Sequence, residues 1–229
     1  MSRFRFNMAV LPHGHRDSRS GLAAYPHGWL TGGGVAMRQV STPKVFISYY
    51  HEGDQEYKDR LVQALSSRAI DKSVSPGDIH DPNLPLAEVR RRIRDDHIAD
   101  ATVTIVLIGP CTWQRKHVDW EISASIVDRR RNQRCGLMGL LLPHHPDYLR
   151  RPEDRNPRLI PPRLWRNTGG NDPFAMIYRW PRSSVARRVM PKVCRAYLRK
   201  DKTPWPDDGL ELFTDNRRGN CLRGWQSLA

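Results

Sequence analysis

Thr102-Val103-Thr104-Ile105-Val106-Leu107-Ile108 is the stretch on which the fold turns. It is almost continuously apolar, rich in β-branched residues, and closed by Gly109-Pro110. A strand of that composition is buried on both faces, which is the habit of parallel sheets covered by helices. Reading outward, Val45-Phe46-Ile47-Ser48-Tyr49 after Pro43 predicts another buried strand, and Leu137 to Leu142 a further one. Ala69 to Val74 gives a weaker strand before the breaker Ser75-Pro76-Gly77-Asp78, and Phe174–Tyr178 a short one.

Helical periodicity fills the gaps. Tyr57, Leu61 and Leu65 recur at four-residue spacing with Asp54 as a candidate cap, predicting a helix over roughly 55–67. Leu86, Val89, Ile93 and His97 share a second face. Val118, Ile122 and Ile126 mark a helix from about Val118 to Arg131, and a basic helix falls near 184–199. Strands alternating with helices predict an α/β fold, a three-layer sandwich around a mostly parallel sheet. Ligands of such folds bind beyond the carboxyl ends of the strands.

Composition bounds the rest. The chain has 229 residues, 38 Lys+Arg and 24 Asp+Glu, a formal net charge of +14. That excess suggests nucleic acid or an anionic membrane, but it is unevenly placed. Residues 1–43 carry +4, 44–143 only +1, and 144–229 carry +9. The regular core is nearly neutral, and Arg129-Arg130-Arg131 and Arg187-Arg188 lie outside any recognition motif, so a nucleic-acid partner is not expected. No apolar run reaches the ~18–20 residues of a membrane span. Met8-Ala9-Val10-Leu11 is too short for a secretory h-region, so the expected location is cytoplasmic. The four cysteines, at 111, 135, 194 and 221, form no CxxC and read as free thiols. Residues 1–43 read as a disordered extension, with Met37 an alternative start, and 201–229 as an irregular tail after a domain over 44–200.

Three groups of residues fall at the strand ends: Ser48-Tyr49-Tyr50-His51, Pro76-Gly77-Asp78, and the cluster Trp113, His117, Asp119, Trp120, Glu121. Together with Lys44-Val45-Phe46-Ile47-Ser48-Tyr49-Tyr50-His51, the run Thr102 to Gly109 and Arg115-Lys116-His117-Val118-Asp119-Trp120-Glu121-Ile122 resemble TIR-like domains, in particular the TIR-like subunit of the Thoeris anti-phage defence system. A looser likeness reaches Ile160-Pro161-Pro162-Arg163-Leu164-Trp165 and the closing helix. The resemblance implies a flavodoxin-like sheet and cleavage of NAD at the nicotinamide–ribose bond, with a cyclic or linear ADP-ribose product. It makes NAD a substrate, with no cofactor or metal. It also implies a product-sensing effector encoded nearby and homo-oligomeric assembly.

The family's catalytic Glu lies in a Trp-Cys-x-x-Glu motif, which aligns Glu121 with that Glu. His117 then stands at the Trp position and Val118 at the Cys position, leaving Trp113 or Trp120 as alternative aromatic faces. By the same resemblance Phe46, Ser48, Tyr49, Tyr50, Asp78, Trp113 and His117 line the substrate pocket. Asp119 reads as a helix cap, and arginines of the basic second half as holders of the two phosphates. A non-catalytic TIR-like interaction module is the competing reading. A phospho-receiver would need acidic residues where Ser48-Tyr49 and Gly109-Pro110 stand, and a deoxyribosyltransferase shows no signal of its own.

Overall fold

The computed structural model describes residues 43–66, 70–71, 84–127, 133–201 and 205–225. Residues 1–42, the predicted extension with Met37, lie outside the described residues, as do 72–83 with Asp78. Five strands form one parallel sheet in the order β2-β1-β3-β4-β5. They are β1 (Lys44–Ser48), β2 (Ile70–Asp71), β3 (Val103–Ile108), β4 (Gly136–Leu141) and β5 (Met176–Arg179). The helices are α1 (His51–Leu65), α2 (Leu86–Arg92, continued by a π-type turn over Ile93–Ile98), α3 (Lys116–Ile126), α4 (Pro162–Arg166) and α5 (Val185–Arg199). This is the α/β, flavodoxin-like arrangement. Its strand order reverses direction between β1 and β3, which is where such sheets open a ligand crevice.

Strand alternation sorts the core into two layers. Val45 and Ile47 of β1 and Tyr49 just after it point to one side, with Val103, Ile105 and Leu107 of β3 and Met138 and Leu140 of β4. There they meet Leu61 and Leu65 of α1 and Val189, Val193 and Ala196 of α5. Phe46 points to the other side, against Ile93, Ile98, Trp120 and Ala124. Val106, Ile108, Leu137 and Leu141 join it there, under Val118, Ile122 and Ile126 of α3 and Leu164 of α4. Each such buried side chain contributes roughly 1.5–3 kcal/mol. Gly136 has no room for a Cβ, which would strike the Ala196 carbonyl, so α5 lies tight on β4.

Several local expectations are corrected. Asp54 does not cap α1; Tyr50 stands at the N-cap, and Asp54 sits inside the first turn, 1% exposed. Its carboxylate accepts from Thr112 Oγ1 at 3.1 Å and contacts His144 Nε2 at 2.9 Å, over a Gly109 whose Cβ would collide with it. Asp119 is not a cap either, since Arg115 holds that position. The described part of the second strand is two residues long, and α3 ends at Ile126, short of the predicted Arg131.

The cysteines are not all free. Cys111 and Cys221 form a disulfide, while Cys135 is buried and Cys194 exposed. Their sequence separation of 110 hid the pairing. What closes that gap is residues 205–225, which lack regular structure yet are stitched along α3. Phe213 N donates to Asp119 Oδ2 at 3.1 Å, and Trp120 Nε1 to the Phe213 carbonyl at 2.7 Å. Lys116 N donates to Asn216 Oδ1 at 2.9 Å, and Gln114 Nε2 to the Gly219 carbonyl at 2.7 Å.

Candidate active site

The extended chain of β1 runs on through Tyr50 (φ −89°, ψ 109°) before α1 begins. Alternation therefore turns Ser48 and Tyr50 toward α3 and Tyr49 toward α1. Ser48 is fully buried, and its Oγ donates to Glu121 Oε2 at 2.6 Å. Glu121 is 5% exposed on the inward side of α3. Burial pushes its carboxyl up to about 8, and the Ser48 hydrogen bond acts in the opposite direction. Among the described residues no cation pairs with it. A strongly perturbed carboxyl at the carboxyl end of a central strand is a functional-site signal.

A second contact joins the same two segments. The Arg115 guanidinium, immediately before α3, lies 3.6 Å from the centroid of the Tyr50 ring. Tyr50 is half-buried and its hydroxyl donates to Glu52, the main cause of its raised pKa.

The other predicted residues lie elsewhere. Phe46 is a core residue with no exposure. Tyr49 packs in the α1 layer, where its hydroxyl donates to Gln55 Oε1 at 2.7 Å. Trp113 is 1% exposed and donates to the Cys221 carbonyl at 3.2 Å, beneath the C-terminal segment. His117 is on the exposed side of α3, its ring 5.3 Å from that of Trp120. The structure thus brings Ser48 and Glu121 together, with Tyr50 and Arg115 beside them.

Sequence reasoning passed over two arginines. Arg115 lies within the motif that carries the family resemblance, where the sequence assigns it no role. Arg163 is wholly buried and donates to Asp119 from Nε at 2.9 Å and from Nη2 at 3.2 Å. Its Nη1 donates to Asp208 Oδ1 at 2.7 Å, and its Nη2 also to the Leu210 and Glu211 carbonyls. Nothing in a proline- and arginine-rich loop marks one arginine as buried; the signal is the tertiary contact itself. Among the described residues no group of three or more His, Cys, Asp or Glu side chains is placed to hold a metal, and no helix is long and apolar enough to cross a membrane.

The model of the family described as Thoeris protein ThsB, TIR-like domain, matches residues 46–147. No curated protein or solved structure matches the chain. The matched span runs from β1 past β4 and contains both partners of the Ser48–Glu121 contact. Residues 46–147 thus form a TIR-like domain of the Thoeris protein ThsB family.

Proposed function

We propose that this domain cleaves the nicotinamide–ribose bond of NAD and converts the remainder into a linear or cyclic ADP-ribose signal in anti-phage defence. The observation that carries the proposal is Glu121: a carboxyl buried at the carboxyl end of β1, held by one hydroxyl and by no cation among the described residues. Nicotinamide leaves from a cationic pyridinium as a neutral molecule. The bonding pair passes to the ring nitrogen, so no general acid is needed. What the transition state needs is a negative charge beside the ribose as oxocarbenium character develops. An ionised Glu121 supplies it.

Glu121 on its own holds its proton at neutral pH, because burial pushes its carboxyl up to about 8. A cationic nicotinamide ring beside it favours the ionised form, which couples ionisation to substrate binding. Water then attacks the ribose to give ADP-ribose, or a group of the same nucleotide attacks to give a cyclic product. Exclusion of water decides between them. The product would act on a separate effector.

One observation favours the second reading, a non-catalytic TIR-like interaction module. His117 stands at the family's Trp position and is exposed. The test is to incubate the protein with NAD and lysate from phage-infected cells and identify the products by mass spectrometry. Wild type should yield ADP-ribose or its cyclic isomer and Glu121→Gln neither. Identical products from both would remove Glu121 from the chemistry, and no products from either would favour the interaction module.

A further inference from the structure

We propose that Arg115, braced on the Tyr50 ring, is the residue that binds the diphosphate of the dinucleotide; this rests on the NAD reading of the Glu121 site.

Two cross-links join the end of β1 and the turn after it to α3 and its N-cap. The inner one is Ser48–Glu121, fully buried. The outer one is Tyr50–Arg115, half-buried. Ser48 and Tyr50 lie on the same side of an extended chain, so they are about 6.6 Å apart along it. A phosphate carried on the 5′ oxygen of the ribose stands a comparable distance from the anomeric carbon. A ribose placed with that carbon at Glu121 therefore directs its phosphates toward the outer cross-link.

The chemistry of Arg115 fits. Other arginines of this chain are spent on carboxylates: Arg163 on Asp119 and Asp208, Arg166 on Asp207, Arg199 on Asp172. Arg115 has no carboxylate partner among the described residues, and its Nε is buried without a hydrogen bond. Among the described residues its guanidinium is held by the face of Tyr50. Stacking fixes the plane of the fork and leaves its edge N–H groups for an anion, and guanidinium–phosphate pairs are strong and directional. The Glu52 carboxylate is occupied by the Tyr50 hydroxyl. The phosphate-holding arginine thus comes from the near-neutral 44–143 core, where the sequence had pointed to the basic second half.

The experiment uses the full chain and two readouts. The first is calorimetric binding of ADP-ribose and of adenosine, which lacks phosphate, to wild type, Arg115→Gln and Arg115→Lys. Arg115→Gln should weaken ADP-ribose by about tenfold or more and leave adenosine unchanged, with Arg115→Lys intermediate. The second is nicotinamide release from NAD and from nicotinamide riboside, which has no diphosphate. Arg115→Gln should raise KM for NAD and spare the riboside, whereas Glu121→Gln should lower kcat for both. A thermal melt of each variant establishes that it is folded. Equal ADP-ribose affinity in wild type and Arg115→Gln, or an equal loss for adenosine, overturns the diphosphate assignment, as does the absence of ADP-ribose binding to wild type. Undiminished cleavage by Glu121→Gln, with ADP-ribose binding still dependent on Arg115, sinks the Glu121 reading and leaves the subsite standing.

Discussion

Asp119 and Glu121 stand two residues apart on α3, both buried carboxyls, 2% and 5% exposed. Their surroundings differ in kind. Asp119 receives two guanidinium hydrogen bonds from a fully buried Arg163 and one from Phe213 N. Glu121 receives one hydroxyl hydrogen bond, and burial pushes it up to about 8. A buried charge is ordinarily paired and fully hydrogen-bonded. Asp119 obeys that rule and fixes α3, α4 and the C-terminal segment to one another. Glu121 departs from it on the helix that Asp119 secures. The pairing holds the scaffold still, and the lack of pairing leaves a carboxyl ready to answer a cation.

The sharpest way to break the contrast is to remove the guanidinium. Arg163→Met should destabilise the protein by about 3–5 kcal/mol in urea unfolding, because Asp119 is left buried and uncompensated. A change under about 1 kcal/mol would mean that water already reaches Asp119.

Next in size is the pH dependence of Glu121. Burial holds the folded carboxyl at about 8, above its ordinary value of 4.5. Between those values the folded state binds the extra proton, so the carboxyl's contribution to stability falls as pH rises through the window. The difference in unfolding free energy between Glu121→Gln and wild type should therefore grow in favour of Gln by about 1.4 kcal/mol per pH unit from about pH 5 to 8, then level off. A flat difference across that range would show that Glu121 is not desolvated.

A smaller effect is expected at Ser48. Its hydrogen bond lowers the Glu121 pKa, so Ser48→Ala should raise it further. Nicotinamide release at neutral pH should then drop by about tenfold, with the pH profile displaced upward. An unshifted profile would detach Ser48 from the chemistry. The least effect belongs to the C-terminal segment: Trp120→Phe removes the hydrogen bond to the Phe213 carbonyl and should cost about 1 kcal/mol in the same unfolding assay. No measurable cost would mean that this contact adds nothing to the hold on α3.

The same contrast explains what could be read from the chain alone. The apolar runs of β1, β3 and β4 announce themselves, since a strand buried on both faces leaves no polar alternation to confuse. Glu121 was legible through the motif around it. Arg163 was not, because its partners lie 44 and 45 residues away and the sequence around it is rich in other arginines, among them the exposed Arg158 and Arg166. The Cys111–Cys221 bond and residues 205–225 were missed for a related reason. A segment that binds through backbone groups and single side chains has no period to detect. Asp54 and Asp119 were both misread as caps, because a first-turn Asp looks the same in sequence whether it faces an amide or a distant side chain. Arg115 was in view, but its stacking on Tyr50 depends on where the β1 turn ends.

The proposed chemistry makes Glu121, buried and without a cation partner among the described residues, the carboxylate on which cleavage of NAD depends. Nicotinamide release from NAD, measured for wild type and Glu121→Gln in the same phage-infected lysate with both proteins shown to be folded, tests it most directly. Glu121→Gln should lose at least about a hundredfold. Equal rates in the two proteins would contradict it.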